Sequence, residues 1–224
     1  MSAIAIITAR GGSKRIPKKN IKEFCGKPII AYSIEAALKS EMFDEVMVST
    51  DSEEIAEIAK SYGANVPFYR SEKTSGDFAT TIDVLKEVMK EYQKRGKTFD
   101  KIACIYPTAP FITSEKLINS MEMLKDDVYE VIPVVKFSFP PQRAFAIRND
   151  SLVFLHPENA KRRSQDMEPL YHDCGQFYIM SPKVLEETGE GRICPFIMPE
   201  SEVQDIDTEE DWKIAEMKFS MMNR

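Results

Sequence analysis

Strand-like and helix-like stretches alternate over the first 135 residues, and this rhythm is the strongest constraint on what the chain can fold into. "AIAIIT" (3–8) is an unbroken aliphatic run, the pattern of a strand buried on both faces. "PIIAYSIEAALKS" (28–40) places Ile30, Ile34, Ala37 and Leu38 at helical spacing, with Pro28 near its start. "EVMVST" (45–50) is a second buried strand. "DSEEIAEIAKSYG" (51–63) predicts a helix capped by Asp51 or Ser52, with acids in its first turn and Gly63 at its end. "ATTIDVLKEVMKEYQK" (79–94) predicts an amphipathic helix, "KIACIY" (101–106) a strand, "SEKLINSMEMLK" (114–125) a helix with Ser114 as cap, and "EVIPVV" (130–135) a strand. Units of this βαβ kind imply right-handed crossovers and an α/β, Rossmann-like, mostly parallel sheet covered on both faces. Residues 136–175, rich in Pro, aromatic and basic residues, break the rhythm and read as an insertion with little regular helix. "GQFYIM" (175–180) restores a strand, and a helix forms near "DTEEDWKIAEMKF" (207–219). With 224 residues, 43% of them hydrophobic, the chain fits one domain, 1–224, with a small appendage at about 136–170.

In such sheets ligands bind outside the carboxyl ends of the strands. The polar clusters lie there: "ARGGSKRIPKKN" (9–20), "STD" (49–51), "YPTAP" (106–110) and "QDIDTEED" (204–211). The first holds five basic side chains, Arg10, Lys14, Arg15, Lys18 and Lys19, in a chain of net charge -6. The acidic balance argues against a nucleic-acid partner, so the cations matter only where they are concentrated. Glycines let a backbone approach a ligand, and Arg and Lys oppose a polyphosphate, so the loop reads as a triphosphate cradle. It contains neither G-x-x-x-x-G-K-[ST] nor G-x-G-x-x-G. The blander alternative is a solvated basic turn; its place after the first strand favours the cradle.

Asp205 and Asp207 stand at i and i+2, on one side of an extended segment, and can together hold one Mg²⁺. The competing reading is a helix cap at Asp207 or Thr208, with Glu209, Glu210 and Asp211 favouring the dipole. The two are compatible if the upstream pair takes the metal. Cys25, Cys104, Cys174 and Cys194 are widely spaced and there are two histidines, which argues against a structural zinc site. Free thiols in a cytoplasmic protein are the expectation, with no signal peptide or membrane partner, since no apolar stretch reaches spanning length.

The first block resembles the signature of the cytidylyltransferases that activate nonulosonic acids, the CMP-sialic acid synthetase family. "STD", "PTAP" (107–110) and "DIDTEED" (205–211) look like further blocks of that family, in its order, and the resemblance runs from residue 4 to about 215. "FCGKP" (24–28), "FPPQRA" (139–144) and "YHDCGQFYI" (171–179) look most like the members that take pseudaminic acid. The resemblance implies a nucleotide-diphospho-sugar transferase fold, CTP and a nonulosonic acid as substrates, Mg²⁺ and a homodimer. It implies that Arg10, Gly11, Gly12, Ser13, Lys14, Lys19 and Asn20 line the triphosphate, and that Arg70, Ala79 and Thr81 meet the cytosine and ribose. Asp205 and Asp207 would hold the metal, and with Arg10 and Lys19 form the catalytic set. Arg15 and Lys18 are expected to flank as solvated charge.

For the acceptor the resemblance points to Tyr106, Arg143, His172, Asp173 and Gln176. Tyr106 stands where sialic acid synthetases carry a glutamine, and His172 and Cys174 replace an arginine and an asparagine, so the sugar is expected to differ from sialic acid. Cys174 reads as a packing residue, and no nucleophilic dyad accompanies it. The anomeric 2-hydroxyl is then expected to attack the α-phosphorus directly. The insertion, with Phe137, Phe139, Phe145 and Phe154, is the expected dimerisation arm. The alternatives are activation of sialic, legionaminic or Kdo acids, Kdo fitting the loop less well, and an inert nucleotide-binding regulator on the same scaffold.

Overall fold

The computed structural model describes residues 1–186 and 191–222. Strand β1 (Ala3–Thr8) is buried from Ala3 to Ile7, as an aliphatic run without alternation requires. After the cationic loop, β2 (Glu23–Phe24) and β3 (Lys27–Pro28) form a small hairpin. Its two turn residues, Cys25 and Gly26, have φ of 46° and 97°, the left-handed geometry of a tight hairpin turn. Helix α1 (Ile29–Ser40) leads to β4 (Glu45–Ser49), parallel to β1. Helix α2 (Glu53–Ser61) is capped by Ser52, whose hydroxyl accepts from the Ile55 N–H. A short α3 (Glu72–Ser75) precedes α4 (Thr81–Lys94). Thr80 and Asp83 cap α4 reciprocally.

Strand β5 (Lys101–Ile105) pairs with β1 on its other side, also parallel. Helix α5 (Ser114–Met123) is capped by Thr113 rather than the expected Ser114. Thr113 has extended backbone (φ −129°, ψ 158°) and accepts from the Lys116 N–H, while Ser114 is already helical.

From β6 (Val128–Lys136) the chain enters the insertion, which has 3-10 turns and no α-helix. Its β7 (Phe145–Arg148) and β8 (Ser151–Phe154) form a separate hairpin. The return path is antiparallel: β9 (Tyr171–Asp173) pairs with β6, and β10 (Phe177–Met180) runs between β5 and β6. Strand β11 (Arg192–Met198) lies parallel to β6, and α6 (Glu209–Met222) follows. The sheet order is β11-β6-β10-β5-β1-β4 with β9 on β6. Because β6 leaves and β9 returns at the same end, the insertion stands at the carboxyl end of β1 and β5.

The core divides by the two faces of β1. Ala3, Ala5 and Ile7 pack under Ile30 and Ile34 of α1, Ile55 of α2 and Leu117 of α5. Ile4 and Ile6 face Val84, Leu85 and Val88 of α4. A third cluster joins Ile16 of the loop, Phe24, Phe111, Ile206, Trp212 and Ala215. Phe24 meets Trp212 edge to face at 5.5 Å, so α6 and the acidic segment before it are fastened to the base of the cationic loop.

Candidate active site

The opening loop is held from below. Asn20, 6% exposed, donates through Nδ2 to the Arg10 carbonyl at 2.9 Å. The Gly11 N–H donates to Asp51 Oδ1 at 2.7 Å. A Cβ on Gly11 would stand 3.2 Å from Ser52 Cβ, so the close approach favours glycine, whereas Gly12 faces open space. Lys19, mostly buried, donates to the Ile206 carbonyl at 2.6 Å and lies 3.4 Å from Asp207. Arg10 pairs with Asp77 at 2.8 Å, and Lys14 pairs with the same carboxylate. Lys18 pairs with Glu54 outside the cleft, as a flanking charge should. Arg15 differs from the expectation: it lines the cleft and pairs with Asp207 at 2.8 Å.

These residues form one wall of a cleft of about 430 Å³, within the range of small-molecule sites. Arg10, Ser13, Lys14, Lys19 and Asn20 line it together with Arg70, Ala79, Thr81 and Tyr106. Arg70 is 9% exposed and donates to Ser49 Oγ (3.2 Å) and the Ser49 carbonyl (2.8 Å), with no carboxylate in salt-bridge contact among the described residues. Burial pushes its pKa down, and the charges of Asp51 and Glu87 push it back up. A desolvated cation held only by neutral oxygens is ready for an electron-rich ligand. Because Thr80 performs the capping, Thr81 is free, and its hydroxyl lies 3.3 Å from the Tyr106 hydroxyl. The N-terminus of α4 therefore opens onto the cleft, with its positive dipole end.

Beside the loop, and outside the residues that line the cleft, Val203 and Ile206 are buried while Asp205 is exposed and Asp207 half-buried. The capping role falls to Thr208 and Asp211, whose hydroxyl and carboxylate exchange hydrogen bonds with each other's backbone N–H. Neither Asp205 nor Asp207 supplies the cap, and Asp207 is instead engaged by Arg15 and Lys19. The Asp205 carboxyl is raised above its ordinary value, first by partial burial and then by the Asp207 charge, with Lys19 opposing. Two mutually repelling carboxylates are stabilised by a cation. Among the described residues no group of three or more His, Cys, Asp or Glu could hold a metal alone.

The expected acceptor residues are less convergent. Only Tyr106 lines the cleft. His172 Nδ1 is 2.9 Å from the Asp173 carbonyl, and its ring lies on Phe137. Asp173 accepts from the Tyr178 hydroxyl and the Gly175 N–H. Gln176 is 1% exposed and donates to the Glu202 carbonyl at 2.7 Å, with no partner for its side-chain oxygen among the described residues. Arg143 sits in the insertion on a 3-10 turn, partly buried, with no side-chain hydrogen bond or ion pair among the described residues. Cys174 packs with Val135, Met198 and Val203, and burial raises its thiol to about 12, which excludes a ready nucleophile. Sequence reasoning missed Asp77, Thr80, Thr108 and Tyr178. Thr108 and Tyr178 lie in quoted blocks, whereas nothing local marks Asp77 as the partner of residues more than sixty positions away.

A cationic loop lining a nucleotide-sized cleft at the carboxyl ends of parallel strands, with Asp207 of the acidic pair bound to the loop through Arg15 and Lys19, is the arrangement a nucleotidyltransferase needs. The cytidylyltransferase family model matches residues 4–197, and the chain belongs to that family. It is 39% identical to pseudaminic acid cytidylyltransferase of Campylobacter jejuni over 226 residues, covering 99% of this chain and 97% of the relative. It is 34% identical to CMP-N,N'-diacetyllegionaminic acid synthase of Legionella pneumophila, covering 96% of this chain and 95% of the relative. The solved structure of CMP:2-keto-3-deoxy-manno-octonic acid synthetase complexed with CTP superposes with a TM-score of 0.73 at 18% identity, covering 99% of this chain and 100% of that one. The fold is that of the nucleotide-diphospho-sugar transferases, as the sequence implied.

Proposed function

We propose that the protein transfers CMP from CTP to the anomeric hydroxyl of pseudaminic acid and releases pyrophosphate. The observation that carries the reading is the single cleft joining Arg10, Lys14 and Lys19 to Arg70 and Thr81, in a chain similar over nearly its full length to a pseudaminic acid cytidylyltransferase. In this reading the triphosphate takes the place of Asp77 against Arg10 and Lys14. Arg70 faces the pyrimidine, and Ala79 leaves room for its ring. The anomeric oxygen forms a bond to the α-phosphorus as the bond to the bridging oxygen of pyrophosphate breaks. Arg10, Lys14 and Lys19 stabilise the charge that develops on that leaving group. Asp205 and Asp207 are the residues that would hold Mg²⁺, whose charge would offset that of the triphosphate.

The uncommitted Arg143 guanidinium is suited to the acid's carboxylate. The insertion exposes Phe139, Phe145, Ile147 and Leu152, an apolar surface that supports its role as a homodimerisation arm. Cytoplasmic location is part of the same proposal, because CTP is a cytoplasmic substrate. Among the described residues no helix is long and apolar enough to cross a membrane. Legionaminic acid is the second reading, supported by the Legionella relative. Pyrophosphate release with pseudaminic acid is measured with each of the four ribonucleoside triphosphates. Release with CTP alone is expected; equal release with UTP, or none with any, would overturn the proposal.

A further inference from the structure

Arg10 and Lys14 of the loop share one carboxylate. Arg10 donates to Asp77 Oδ1 at 2.8 Å, and Lys14 donates to Oδ2 of the same group. Among the described residues neither cation pairs with any other acid. Asp77 does not itself line the cleft, but Ala79, Thr80 and Thr81, which follow it, do. Its carboxyl is held below the usual carboxylate range, first by the Lys14 hydrogen bond and then by Arg10, so it is charged at neutral pH.

The stretch that carries Asp77 is anchored at both ends and loose between them. On the α3 side, the Ser71 N–H and hydroxyl and the Thr74 hydroxyl all donate to the Glu87 carboxylate of α4. On the α4 side, Thr80 and Asp83 form the reciprocal cap. Between these anchors Phe78 is fully exposed, and the turn is closed by a backbone bond from the Ala79 N–H to the Gly76 carbonyl at 3.3 Å. Moving Asp77 aside breaks two solvent-exposed ion pairs and leaves both anchors intact; the Arg10, Lys14 and Asp77 side chains are 38%, 77% and 45% exposed. Such pairs are weak one by one, but a tethered carboxylate is always present at high local concentration.

We infer that Asp77 is a built-in competitor for the pyrophosphate end of the triphosphate, and that its return to Arg10 and Lys14 after transfer expels pyrophosphate. The competition follows from the two ion pairs alone; the place of expulsion in the reaction rests on the proposed CMP transfer. An anion that bridges two cations leaves them one at a time. Asp77 captures the first cation set free before the ligand rebinds, which shortens the life of the complex. In the proposed reaction Arg10 and Lys14 hold the leaving group rather than the phosphate kept on the nucleoside, so CMP is not displaced.

Titration calorimetry without added metal measures pyrophosphate and CMP binding to the wild type and to Asp77→Asn, which keeps the side-chain shape and loses the charge. Pyrophosphate should bind roughly two- to tenfold more tightly to the variant, the range set by two exposed pairs, and CMP equally to both. Chasing bound radiolabelled pyrophosphate with an excess of unlabelled gives its dissociation rate, which should fall by a similar factor in the variant. Equal pyrophosphate affinity, no pyrophosphate binding by either protein, or CMP tightened as much as pyrophosphate would overturn the competition. A tightening carried by association alone, with the dissociation rate unchanged, would overturn the expulsion. No acceptor sugar enters these measurements, so they succeed or fail apart from the proposed function, which is read from pyrophosphate release during turnover.

Discussion

Replacing Asp207 with Asn separates what this carboxylate does for the fold from what it does for the reaction. In the folded state Asp207 pairs with Arg15 at 2.8 Å and Lys19 at 3.4 Å, the Arg15 side chain being 68% exposed and that of Asp207 35%. Exposed pairs of this kind contribute about 0.2–1 kcal/mol. The Asp207 N–H remains held by Asp211, and the neighbouring Ile206 stays buried, so the backbone should not move. Stability should therefore fall by less than about 1 kcal/mol. If the pair with Asp205 holds Mg²⁺ against the triphosphate, turnover should fall at least a hundredfold, about 2.7 kcal/mol of transition-state stabilisation. Urea denaturation gives the first quantity, and a coupled pyrophosphate assay at saturating CTP gives the second. Asp205→Asn should behave alike. Near-normal turnover in both variants would refute the metal assignment.

The other predictions concern the residues around this pair. Asp77→Asn removes the anion that occupies Arg10 and Lys14, so the KM for CTP should fall severalfold; a rise would mean that Asp77 orients the two cations instead. Trp212→Ala opens the cluster that fastens the acidic segment and should destabilise the protein by about 3–5 kcal/mol, read from a denaturation curve. The Asp205 carboxyl is raised, so its stabilising contribution is full below its unfolded pKa and is lost as pH rises through the folded value. Mg²⁺ should pull its NMR-detected midpoint back down, and no movement would count against the site. Light scattering at micromolar concentration should show a dimer, and Phe145→Asp with Ile147→Asp should give a monomer.

The parallel half of the fold was legible because each element carries its own pattern. The unbroken run 3–8 and the helical spacing of Ile30 and Ile34 report burial directly. The direction of β10 was not legible, because a four-residue apolar strand looks the same either way up. The β7–β8 hairpin lacks a buried face, and its exposed Phe145, Ile147 and Leu152 follow no core pattern. Ser114 and Thr113 are both good caps, and only the backbone angles distinguish them. Within the cleft, the loop residues were found because glycine and clustered cations are local signals. Asp77 and the Arg15–Asp207 pair were not found, since each depends on chain segments far apart in sequence. His172 and Gln176 were placed by resemblance, and their side chains turn instead to the backbone around β9 and Glu202.

The most direct test of the proposed function is a competition. The protein, CTP and Mg²⁺ are incubated with equimolar pseudaminic, legionaminic and sialic acids, and the CMP-linked products are resolved by mass spectrometry during the first turnovers. CMP-pseudaminic acid should dominate, and Tyr106→Gln should narrow its lead. A predominance of the legionaminic or sialic product would contradict the acceptor assignment, and the absence of any CMP-linked acid would contradict the reaction itself.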